Sequence, residues 1–134
     1  MKRMMLGVAA ALFVTGAAMS AASAADPAMK ADSSLGKILV DPKGMTLYTF
    51  DDDTKGATAS ACTDKCIEAW PPLVAPAGAT AEDEWTIADV TLKDGTATKM
   101  WAYNGWPLYT FVKDKKPGDV TGDGVGGVWH VVKE

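Results

Sequence analysis

Cys62, Cys66 and His130 are the only cysteines and the only histidine in the chain of 134 residues. Two thiols four positions apart on a helix lie on one face, one turn apart, with Cα atoms about 6 Å from each other, near the upper end of what a disulfide spans. Oxidised, the pair closes a very small loop, so it pins one turn more than it stabilises a whole domain. Reduced, two thiolates and the imidazole of His130 suit a copper ion, and the thiols alone suit redox exchange. His130 lies between Trp129 and Val131 in what reads as a strand, the setting of an ordinary histidine. The spacing is neither CxxC nor the CxxCH of haem attachment. The leading reading is a structural disulfide and no cofactor; the alternative is a copper or thiol redox site at Cys62, Cys66 and His130.

Other chemistry has little to draw on. Asp51, Asp52 and Asp53, and later Asp119 and Asp123 in PGDVTGDGVGG, crowd carboxylates into turns, but neither stretch has the spacing of a calcium-binding EF-hand loop. They read as solvated turns in which Asp bonds to nearby backbone. The glycines from Gly122 to Gly127 precede a strand rather than a helix, so they form no phosphate cradle. With one histidine, and with Ser33, Ser34 and Ser60 the only serines beyond the N-terminal segment, a Ser–His catalytic arrangement has no material. No spacing singles out a carboxylate pair. The expectation is a protein that is not an enzyme.

The compartment is written at the N-terminus. Lys2 and Arg3 precede an apolar run over residues 4–18, and Ala22, Ser23 and Ala24 supply the small residues that a signal peptidase reads. The run is too short for a permanent membrane span. Residues 1–25 therefore read as a signal, cleaved after Ala24 or Ala25, and the protein as periplasmic or secreted. Cleavage removes Lys2 and Arg3 from the 13 basic residues, leaving 11 against 17 acidic ones, a net charge of −6. Arg3 is the only arginine, and without it nucleic-acid binding becomes a poor prospect. An unknown envelope partner or small ligand is the better expectation, and the acidity favours cations over anions.

The elements that must position these residues are strands and turns. Residues 26–34 are small and polar and read as a flexible leader. Residues 37–40 and 45–50 read as a hairpin across the turn Asp41-Pro42-Lys43-Gly44. Strands are expected over 85–92, 97–103, 106–112 and 128–132, with Asn104-Gly105 forming a type I′ turn. One short helix is expected within 59–69, capped by Ser60 or Thr63 and stopped by Trp70-Pro71-Pro72.

The hairpin pattern occurs twice. KILVDPKGMTLYTF from Lys37 and KMWAYNGWPLYTF from Lys99 align with one extra residue in the first turn, and Trp70 and Trp129 each follow the shared phenylalanine by about twenty residues. Two halves, roughly 35–80 and 95–134, therefore share one core within a single domain over 35–134, with the strand 85–92 bridging them. In each LYTF strand the tyrosine and phenylalanine share one face. The fold class is all-β, antiparallel strands from two repeats with one helical turn around Cys62 and Cys66.

The combination of G-x-x-LYTF-x-x-D, C-x-x-x-C-x-x-x-WPPL, PLYTF-x-x-D and GDG-x-GGVWHVV resembles the bacterial secreted-repeat family, whose members are predicted lipoproteins carrying a Yx(F/W/Y)xxD motif. The motif falls on Tyr48, Phe50 and Asp53, and again on Tyr109, Phe111 and Asp114. Many relatives carry a lipid anchor, and this chain lacks a cysteine for it near the cleavage site, so a soluble exported form is expected. The resemblance implies an architecture and a compartment, and no activity. In this reading the motif is structural: the rings pack together, and each Asp caps the turn leaving its strand. An exposed cluster among Trp85, Trp101 and Trp106 would mark a binding surface of a non-catalytic module. The oxidised reading of Cys62 and Cys66 predicts an intact mass two hydrogens below the dithiol and no alkylation without reductant; a mass raised by one copper ion would establish the alternative.

Overall fold

A computed structural model describes residues 27–133; the segment read as a signal lies outside the described residues. Seven strands follow in order: β1 (Met29–Ser33), β2 (Gly36–Val40), β3 (Tyr48–Phe50), β4 (Trp85–Thr91), β5 (Ala97–Tyr103), β6 (Trp106–Pro107) and β7 (Trp129–Val131). One short helix, α1 (Lys65–Ala69), stands between β3 and β4. The pairings are antiparallel: β1 with β2, β3 with β7, and β4-β5-β6 in a meander. The fold is all-β.

The expected leader is a correction. Residues 29–33 form β1, paired with β2 from Met29↔Val40 to Ser33↔Gly36. Its side chains are mostly exposed, so an edge strand of polar and small residues carries the composition of a tail. β1 is also the counterpart of β4, since β2 and β5 both lead into an LYTF segment. The strand expected to bridge the halves is thus the first strand of the second repeat.

The two repeats exchange segments through matching backbone hydrogen bonds. Leu39 N–H donates to Val132, Val132 N–H to Leu47 and Leu47 N–H to Leu39. In the other repeat Trp101 donates to Leu73, Leu73 to Leu108 and Leu108 to Trp101. Each repeat's hairpin is therefore completed by the segment that follows the tryptophan of the other repeat. At the centre Tyr48 and Tyr109 exchange N–H···O bonds of 2.8 and 3.0 Å. The equivalence also explains why one ladder is regular and the other broken. Trp129-His130-Val131 forms β7 against β3, whereas the backbone of Trp70-Pro71-Pro72 makes no regular ladder with the second LYTF, having a bridge between Pro72 and Tyr109 and a bond from Thr110 N–H to the Pro71 carbonyl. Proline has no N–H to donate. β6 ends at Pro107, short of the strand expected over 106–112, because the next ladder donor, Trp101 N–H, is taken by Leu73 of the other repeat.

The turns follow their chemistry. Asn104 and Gly105 take positive φ between β5 and β6, and a Cβ on Gly105 would stand 2.7 Å from the Gly56 nitrogen. The helix lies within the expected span but is capped differently: Asp64 is its N-cap without a side-chain bond, and neither Thr63 nor Ser60 caps it. Ser60 is engaged elsewhere, its hydroxyl bonding Tyr109 and Cys62.

Two cores flank the LYTF strands. On one side Phe111, Trp70, Trp129 and Phe50 form a continuous stack, with ring separations of 3.9, 3.7 and 4.2 Å and near-parallel planes. Tyr48 meets Trp70 edge-on and Tyr109 meets Trp129 the same way. The stack alternates between repeats, so neither repeat holds two adjacent members of it. Gly122 lies so close that a Cβ would stand 2.8 Å from the Trp70 ring. On the other side Leu39, Leu47, Leu73 and Leu108 form a leucine cluster with Ala28. Trp129→Ala should therefore cost about 3–5 kcal/mol in urea denaturation, since it removes the middle of the stack; a loss below about 1 kcal/mol would mean that the stack does not hold the repeats together.

Candidate functional site

The YxFxxD motif is built across the repeats. Tyr48 donates its hydroxyl to Asp114 Oδ2 at 2.6 Å, and Tyr109 donates to Asp53 Oδ2 at 2.7 Å. The other oxygen of each carboxylate holds the loop that follows its own strand: Asp53 Oδ1 accepts from Ala61 N–H, and Asp114 Oδ1 from the backbone and hydroxyl of Thr121. Each hydroxyl also has a second partner, Gly122 N–H for Tyr48 and Ser60 for Tyr109. Each Asp thus holds the turn leaving its strand and also accepts from the tyrosine of the other copy. The spacing signals the turn, but only the pairing of the strands discloses the crossed bond.

Burial governs the electrostatics. Both phenols are pushed far above their ordinary range, first by desolvation and then by the carboxylates they face. Asp53 is raised above the usual carboxylate value by desolvation, against the lowering effect of Ala61 N–H and Tyr109, with Asp52 adding repulsion. These buried hydroxyls are donors locked in place, with no proton to release near neutrality.

The cysteine region reads as a clasp. The Cys62 and Cys66 sulfurs are 1.99 Å apart and the Cα atoms 5.2 Å apart, with Cys62 buried before the helix and Cys66 within it. His130 is elsewhere in kind as well as in position. It stands opposite Thr49 on the outward face of β7, and its Nε2 lies 2.9 Å from Asp51 Oδ2. Its neighbours Trp129 and Val131 point into the core that contains Cys62. Strand alternation therefore turns the imidazole away, and the copper trio Cys62, Cys66 and His130 is not brought together. Among the described residues no cluster of three or more His, Cys, Asp or Glu side chains is placed to hold a metal ion. The acidic loops use their carboxylates on backbone: Asp119 accepts from Lys115 and Lys116 N–H, which lowers its pKa, and Asp123 accepts from Val131 N–H.

A concave surface lies on the other side of the LYTF strands, at the leucine cluster. A groove of about 970 Å³ opens beside the leucine cluster, with Leu39 and Leu73 in its lining. Its aromatic wall is Trp85, Trp101 and Tyr103, all half-buried. Trp85 stands opposite Tyr103 across β4 and β5, with rings 4.8 Å apart, and meets Trp101 edge-on at 6.0 Å. The lining also takes in Pro76, Ala77 and Gly78 from the segment between the repeats, and the exposed acids Glu82, Asp83 and Glu84 form a rim. Of the tryptophans expected to cluster, Trp85 and Trp101 meet. Trp106 stands opposite Tyr103 on β6 but outside the lining, and Tyr103 takes the place expected for it. The signal for Tyr103 was its parity with Trp101 on β5.

These features define a two-repeat β domain with exchanged segments, in which the repeated motif is buried and one aromatic groove is open. The chain belongs to the family described as a secreted repeat of unknown function, whose profile matches residues 29–74 and 90–133. The first match begins with β1 and the second within β4, each earlier than the halves read from the LYTF alignment. A secreted family places the protein in the envelope or outside the cell. No curated protein and no solved structure matches the chain. No helix among the described residues is long and apolar enough to cross a membrane.

The raised Asp53 fixes a sign for pH dependence. A carboxyl that holds its proton more tightly when folded contributes stability that is complete below the unfolded pKa and is lost as pH rises through the folded one. The stability of wild type relative to Asp53→Asn should therefore fall as pH rises from about 3 towards 7 in urea titrations. A relative rise would mean that the bonds from Ala61 and Tyr109 outweigh desolvation.

Proposed function

We propose that the protein is an exported, non-catalytic module that binds a ligand or partner through the groove walled by Trp85, Trp101 and Tyr103. The observation that carries this reading is the groove itself. It joins a half-buried aromatic wall to a leucine floor within a volume typical of small-molecule sites. A non-catalytic role is supported by how the polar groups are used. The motif tyrosines and aspartates are buried and engaged with one another, and among the described residues every buried side-chain nitrogen and oxygen has a hydrogen-bond partner. The clasp at Cys62 and Cys66 serves the loop that carries Ser60 to Tyr109.

A fragment library screened by ¹H–¹⁵N NMR tests the proposal. Hits are expected to shift the indole signals of Trp85 and Trp101 and the amides of residues 73–80, and to leave Tyr48, Tyr109 and Gly122 unmoved. Trp101→Ser should abolish those shifts while the remaining spectrum stays dispersed. Hits confined to other surfaces, or none, would overturn the groove as the binding site.

A further inference from the structure

The groove also carries a charge pattern, and its geometry points to the class of ligand. We infer that it takes a small organic cation, an ammonium or quaternary ammonium group on an apolar body; this rests on the groove being the binding site. The lining holds three carboxylates, Glu82, Asp83 and Glu84, against one ammonium, Lys30. Among the described residues none of the three makes an ion pair. They are fixed as a group by the backbone. Glu82 and Trp85 exchange N–H···O bonds of 2.8 and 2.9 Å around a turn in which Asp83 takes φ 56°, and Asn104 N–H donates to the Glu84 carbonyl. The turn therefore seats the acids at the end of the strand that carries Trp85, directly beside the aromatic wall.

The two halves of the site are complementary to one chemical object. Indole and phenol faces attract a cation through the ring quadrupole, Trp most strongly, and carboxylates at the rim supply the longer-range field. The leucine floor beneath the rings takes the apolar body. An anion would meet repulsion from the rim, and a neutral apolar ligand would use the floor and leave the rim unused. The net charge of −6 read for the mature chain steers in the same direction. The rings touch one another along β4 and β5, so they form a wall against which one face of a cation lies, with the acids at its edge.

The mature protein is titrated by NMR with three probes of similar body and different charge: benzyltrimethylammonium, benzyl alcohol and phenylacetate. The cation should shift the Trp85 and Trp101 indole signals and bind about three- to tenfold more tightly than the alcohol. Added salt should weaken it, and the triple variant E82Q, D83N, E84Q should reduce it to the level of the alcohol. These residues lie on an exposed turn, so the variant should fold, which the unshifted Tyr48 and Tyr109 signals would check. Equal binding of cation and alcohol at the indoles, insensitive to salt, would overturn the cation assignment and leave the groove reading intact. Cation shifts limited to the 82–84 amides, without the indoles, would also overturn it, as mere counterion attraction. No binding by any probe, or a groove closed by a second copy of the chain in sedimentation, would remove both readings.

Discussion

The hydroxyl of each motif tyrosine has its acceptor in the other repeat, and the rest of the fold follows from that reciprocity. A phenol buried without a partner would cost the full desolvation penalty, and so would a buried carboxylate. Tyr48 with Asp114 and Tyr109 with Asp53 meet both demands at once, but only when both repeats are folded and correctly opposed. The aromatic stack has the same property, since Phe111, Trp70, Trp129 and Phe50 alternate between repeats. The polar and apolar parts of the core therefore impose one and the same arrangement. Neither half has a core of its own to fold around.

Departures from the two-fold pattern lie in the loops that hold the tyrosine hydroxyls. After the second motif the chain brings Gly122 N–H against Tyr48, at a spot with no room for a side chain. After the first motif it brings Ser60 to Tyr109 and holds the loop through Cys62 and Cys66. The two solutions are chemically different and geometrically equivalent. Pro71 and Pro72 mark a further departure. They stand where the other repeat has His130 and Val131, and Pro71 lacks the N–H that His130 offers opposite Thr49 in the regular ladder.

The groove lies where the symmetry ends. The segment joining the repeats supplies part of the lining and the acidic turn. The repeated residues build a rigid platform, with their own polar groups spent inside it. The residues that wall the groove, Trp85, Trp101 and Tyr103, belong to the second hairpin, and the first hairpin has Leu39 where the second has Trp101. The residues that the repeats share thus account for the scaffold, and residues in which they differ account for the groove.

Much of this was determined locally. The turn residues Asp41-Pro42-Lys43-Gly44 and Asn104-Gly105, the alternation in β4 and β5, the break at Pro71 and the shared face of Tyr48 and Phe50 are decided by backbone sterics and strand periodicity, and all could be read from residue order. The repeat itself was visible because LYTF recurs. What the order of residues left open was which copy supplies each partner. Trp70 follows the first LYTF and Trp129 the second, and either could complete its own hairpin or the other one with the same local pattern. Only tertiary pairing decides that, because the competing arrangements differ in long-range contacts and not in propensity. The same limit hid β1, whose exposed polar residues become a strand only because β2 offers an edge. It also hid the place of Tyr103, which joins Trp85 across a register that two separate strands set together.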